Sequence, residues 1–110
     1  MTEAEQLVAG YDGPLRSQVI ELAENVVFMA HKLKETRDSM GKTPLIVRYD
    51  NGGGQSGYRE NPVFKAYNQL MADYRKSMQQ LADLMQTYGA RPQSDESTPL
   101  FRILKEAKSA

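Results

Sequence analysis

The chain has 110 residues, 40% of them hydrophobic, and fourteen basic side chains balance fourteen acidic ones. That is room for one small domain, without the charge excess of a protein that coats nucleic acid by charge alone. The absence of cysteine excludes disulfides and thiolate chemistry. No run approaches the roughly eighteen apolar residues of a membrane span. The opening MTEAEQLVAG also lacks the basic and apolar regions of a secretory signal, which points to the cytoplasm. Charge is uneven along the chain: residues 1–30 hold Arg16 against Glu3, Glu5, Asp12, Glu21 and Glu24, and the remainder is mildly basic.

Residues 1–13 read as an N-terminal arm. Ala4, Leu7 and Val8 suit a short helix, and Gly10 and Gly13 bracket a turn around Tyr11 and Asp12. Asp12 and Pro14 then form a start signal for a long helix from about Pro14 to Met40. Leu15, Val19, Leu22, Val26, Met29 and Leu33 recur at spacings of four and three, the signature of one helix face. Gly41 is the expected stop.

The connection from Lys42 to Glu60 is too long for a simple helix–helix turn. Leu45 to Tyr49 reads as a strand, and Asp50-Asn51-Gly52-Gly53-Gly54 as a strong turn. Gln55 to Arg59 is poor in strand formers, so both a small hairpin and a protruding loop fit.

Asn61 can cap the next helix, and Pro62 suits its first position, where a missing N–H costs nothing. Val63, Tyr67, Leu70, Tyr74, Leu81, Leu84 and Tyr88 form its apolar face, with Ser77 in the one gap. Buried tyrosines at such positions need partners for their hydroxyls. Gly89 can take the left-handed conformation that ends a helix, and Pro92 discourages continuation. Residues 90–97 are a polar linker. Residues 98–110 form a short C-terminal helix capped by Thr98, marginal alone and in need of a surface to dock on.

The expected fold is all-α. An antiparallel hairpin of long helices spans residues 14–89, interrupted by a glycine-rich, partly β excursion. The two stripes hold more apolar surface than one copy can cover, so a homo-oligomer is expected.

Catalytic signals are missing. His31 stands alone with Glu35 four residues on, which makes no zinc site, and it reads as an exposed helix residue. The carboxylate pairs Glu21/Glu24 and Asp50/Glu60 have no cleft built around them. The glycine run lacks the Lys-Ser/Thr ending of a phosphate-binding P-loop. No catalytic residue, metal or cofactor is expected. Arg48, Arg59 and Lys65 lie near the glycines, and Arg75 and Lys76 follow on the next helix. These cations suit phosphate contacts without base reading, or plain solubility, and the loop equally suits a protein contact.

The block Asp50-Asn51-Gly52-Gly53-Gly54-Gln55-Ser56-Gly57-Tyr58-Arg59-Glu60-Asn61-Pro62 resembles the small terminase subunits of tailed bacteriophages and prophages. In one branch of that family a helix leads into a glycine-bearing loop, and an Asn-Pro pair starts a long helix of alternating aromatic and leucine positions. The resemblance covers roughly Leu15 to Gly89. It implies a non-enzymatic, oligomeric subunit of the DNA-packaging motor, with duplex DNA and the terminase large subunit as partners and a bacterial host cell as its location. An N-terminal helix-turn-helix, common in that family, has no room in residues 1–13. The rival reading is a protein–protein adaptor, or a structural helical hairpin, without nucleic acid.

Overall fold

The computed structural model describes residues 2–92 together with Pro99, Leu100, Ile103 and Leu104. The elements are α1 (Glu3–Leu7), α2 (Arg16–Met40), β1 (Ile46–Asp50), β2 (Ser56–Glu60) and α3 (Pro62–Gln86). The two long helices have 25 residues each and pack as an antiparallel pair, with the β-hairpin inserted between them. The fold is therefore the expected one, mostly helical with a partly β connection. The radius of gyration is 18.2 Å, against about 13 Å for a compact domain of this length. The extents of 63 × 31 × 20 Å show why: the molecule is a rod.

The residues expected to delimit α3 do so. Asn61 Oδ1 accepts from the Val63 N–H at 3.1 Å, and Pro62 occupies the first turn. At the other end Gly89 has φ +79°. Its N–H donates to Gln86 O and that of Ala90 to Met85 O, both at 3.0 Å, the paired bonds of a Schellman motif. The start of α2 differs from expectation. Neither Asp12 nor Pro14 begins it; Leu15 is the cap residue, left-handed with φ 61° and without a side-chain cap bond. Leu15 is consequently 46% exposed and does not belong to the core face. Gly41 does end α2, but in right-handed conformation, φ −59°.

The core runs between α2 and α3. Val19, Ala23, Val26, Ala30 and Leu33 are sealed on α2, facing Tyr74, Leu81 and Met85 on α3. Two corrections concern α3. After Leu81 the buried repeat steps by four to Met85, leaving Leu84 half-buried. Tyr88 lies beyond the helix and is 45% exposed, because the Schellman turn rotates it off the stripe. Ala23 and Ala30, too small to stand out in an apolar pattern, line the contact and let the helices approach.

The N-terminal segment is part of this core. Ala4, Leu7, Val8 and Tyr11 are all buried, and α1 packs on α2. A capping box starts it: the Glu5 N–H donates to Thr2 Oγ1 at 3.1 Å, and the Thr2 N–H donates to Glu5 Oε1 at 3.0 Å. The Thr2 N–H, then its hydroxyl, holds the Glu5 carboxyl below its ordinary pKa. Tyr11 donates to Pro14 O, its ring meets Tyr88 edge-on at 6.2 Å, and Arg16 Nη1 donates to Tyr11 O at 2.8 Å. Gly13 has to be small there, since a Cβ would lie 2.9 Å from the Tyr11 hydroxyl and 3.0 Å from Tyr88 Cβ.

Of the last expected elements, the linker is described only to Pro92. Thr98, Phe101 and residues 105–110 lie outside the described residues. Pro99, Leu100, Ile103 and Leu104 are helical, with Leu100 and Ile103 in the core. The Leu100 N–H donates to the Tyr74 hydroxyl at 3.1 Å, so this tyrosine has the partner its burial requires.

Candidate functional surface

The hairpin is built around its glycines. Gly52, Gly53 and Gly54 all have positive φ, between 60° and 80°, which side-chain-bearing residues resist. The turn closes with Asn51 N–H to Gln55 O at 2.9 Å and Gln55 N–H to Gly52 O at 3.0 Å. Asp50 Oδ1 accepts from the Gly52 N–H at 2.8 Å. At the base Asn61 acts a second time. Its backbone N–H donates to Leu45 O at 2.7 Å and its Nδ2 to Pro44 O at 3.2 Å, tying the two legs together.

Antiparallel register pairs Ile46 with Glu60, Val47 with Arg59, Arg48 with Tyr58, Tyr49 with Gly57 and Asp50 with Ser56. Directly opposed residues share a face, and the faces alternate along each strand. One face therefore carries Val47, Arg59, Tyr49 and Gly57. The Tyr49 ring lies across Gly57, where a Cβ would be 2.9 Å from its hydroxyl, and the Arg59 guanidinium sits 5.9 Å from the ring centroid. Tyr49 thus supplies the packing that a strand glycine lacks, which is why β2 pairs despite its weak strand formers. The other face carries Ile46, Glu60, Arg48, Tyr58, Asp50 and Ser56, all exposed.

The five cations proposed from sequence are all exposed but do not form one patch. Arg48 and Arg59, near one another in the chain, lie on opposite hairpin faces. Lys65 and Lys76 stand on the side of α3 away from α2, eleven residues and about 16 Å apart, and Arg75 is rotated about 100° from Lys76. Asp83 shares the Lys65 side. A wider grouping does emerge. The hairpin half of the rod, residues 32–70, holds Lys32, Lys34, Arg37, Lys42, Arg48, Arg59 and Lys65 against Glu35, Asp38, Asp50 and Glu60. The described remainder holds Arg16, Arg75, Lys76 and Arg91 against Glu3, Glu5, Asp12, Glu21, Glu24, Asp73 and Asp83. The described residues thus form a dipole, positive at the hairpin end. The acidic excess of the far end comes from residues 1–30, and the half of α3 that returns there is neutral, with Asp73 and Asp83 against Arg75 and Lys76.

His31 is exposed, as expected, and bridges elements: its Nε2 lies 2.9 Å from Glu3 Oε1, joining α2 to α1. Among the described residues no group of three histidines or carboxylates is placed to hold a metal ion, and no helix is long and apolar enough to cross a membrane. Two surface depressions among the described residues are open to solvent. One on α2 is bordered by Gln18, Glu21, Leu22, Glu24 and Asn25, and another on α3 by Tyr74, Arg75, Met78, Gln79 and Ala82. Neither assembles the nucleophile, base and anion-stabilising donors that catalysis needs.

No protein-family model, curated protein or solved structure matches the chain.

Proposed function

We propose that the chain is a non-catalytic, oligomeric subunit of a phage-type DNA-packaging terminase, touching DNA through its backbone and engaging the large subunit. One observation carries the reading. The segment that resembles the small terminase subunits, Asp50 to Pro62, is a self-contained device: a glycine-tipped hairpin, locked at its base by Asn61, at the positive end of a rod. Arg59 on the hairpin and Lys65 one turn into α3 are the leading phosphate contacts, with Lys76 and Arg75 farther along the helix and Arg48 on the opposite hairpin face. The half-covered apolar stripe supports association of copies.

Sedimentation of the purified protein, alone and with duplex DNA at low and moderate salt, tests this. The expected result is a discrete multimer that takes up DNA less well as salt rises. Replacing Arg59 and Lys65 by Ala should lower the slope of log affinity against log salt by about two. A multimer indifferent to DNA at every salt concentration would remove the DNA part of the reading. It would favour the second reading, a protein–protein adaptor. That reading has its own support: Leu45, Ile46 and Tyr58 are exposed around the hairpin, as in a protein-docking surface.

A further inference from the structure

We propose that copies of this chain associate head to tail, with the exposed hairpin face of one copy seated on the outward face of α2 in the next. The inference rests on the oligomeric part of the reading above and names its contact.

Three observations carry it. First, the hairpin face is uncovered and carries two large apolar side chains among polar ones: Ile46 is 52% and Tyr58 75% exposed, with Arg48 between them. A two-stranded hairpin is marginal alone, so a neighbour that covers one face stabilises it. Second, α2 has an uncovered aromatic of its own. Phe28 is 60% exposed, one turn beyond the depression bordered by Glu21 and Glu24 and on the side away from α3. A phenylalanine among carboxylates on a solvent face adds nothing to the intrachain core. Third, the two surfaces are complementary. Among the described residues Arg48, Glu21 and Glu24 have no ionic partner within the chain.

In the docked pair Tyr58 meets Phe28, and the Arg48 guanidinium reaches the two carboxylates one helical turn apart. Lys32, whose ammonium lies 5.7 Å from the Phe28 ring centroid, then falls toward Glu60 at the hairpin base. The positive hairpin end and negative far end of the rod favour the same polarity. Contacts between unlike surfaces close into rings or propagate as filaments. Arg59, on the other hairpin face, stays free for phosphate, whereas Arg48 is taken up by this contact and leaves the phosphate set.

Sedimentation velocity on the full chain, without DNA, tests the contact. Tyr58→Ala, Arg48→Glu and Glu24→Lys should each weaken association about tenfold or more. Combining Arg48→Glu with Glu24→Lys should restore much of it, since the charges are then exchanged. These side chains are exposed, and circular dichroism checks that the variants fold. A wild-type monomer at the highest workable concentration overturns both this contact and the oligomeric reading. A multimer unchanged by Tyr58→Ala and Arg48→Glu overturns the contact alone. Loss in both single charge variants without recovery in the combined one also overturns it.

Discussion

The two ends of the helix pair are built differently. Toward the chain's start, Val8, Val19, Ala23, Val26, Leu81 and Met85 are fully sealed. Toward the hairpin, Val63, Phe64, Tyr67, Leu70, Met71 and Met40 are only half-buried. The α3 stripe is apolar at both ends, but that of α2 thins after Leu33, where residues 34–39 hold no apolar side chain, and the number of layers differs as well. At the first end α1 and the Tyr11 turn close over the pair, and near its middle Leu100 and Ile103 come down beside Tyr74. At the second end only two helices meet, and the hairpin projects from them. A helix pair cannot cover its own stripe; a third element decides which half becomes core and which stays a surface.

The largest test of this contrast is truncation at matched positions. Leu81→Ala in the sealed half should cost about 2–5 kcal/mol in urea denaturation, the range for a buried leucine. Leu70→Ala in the half-covered region should cost about 1 kcal/mol, because less apolar surface leaves water there. Equal losses would mean that the two ends are equally packed in solution. A smaller effect is expected at the glycines. Gly13→Ala drives a methyl between Tyr11 and Tyr88 and should lower stability by about 1–3 kcal/mol. Gly57→Ala meets only the far end of the Tyr49 side chain, so its effect should remain in the hairpin and leave the global midpoint nearly unmoved.

The smallest effect sharpens the same contrast through pH. Burial, with Tyr88 adding to it, pushes the Tyr11 phenol above its ordinary pKa. A phenol raised in the folded state stabilises fully below the unfolded value of about 10, and that contribution is lost as pH rises through the folded value. Alkaline unfolding should therefore flatten in Tyr11→Phe above about pH 10. An unchanged alkaline limb would place the Tyr11 ring in water.

Much of the architecture was legible in the sequence, because its signals are local. Asn61-Pro62 and Gly89 mark the ends of α3 by backbone requirements that few other residues meet. The four-three spacing located both long helices. The N-terminal core was less legible: α1 is too short for periodicity, although Thr2 and Glu5 three residues apart were a readable capping signal. Leu15 and Tyr88 fit the spacing but fall where left-handed or turn geometry takes over. The candidate surface was hardest to read. Proximity in the chain grouped Arg48 with Arg59, and only the pairing register reveals that they face opposite ways.

Asn61 caps α3 through one amide atom and holds the hairpin base through the other, so a single side chain sets the bearing of a lever. Each five-residue strand spans about 17 Å. By simple geometry a 10° swing at Asn61 carries the glycine tip about 3 Å, roughly one strand residue. Whatever the hairpin meets, the bonds of Asn61 at its base help to set where its tip lies.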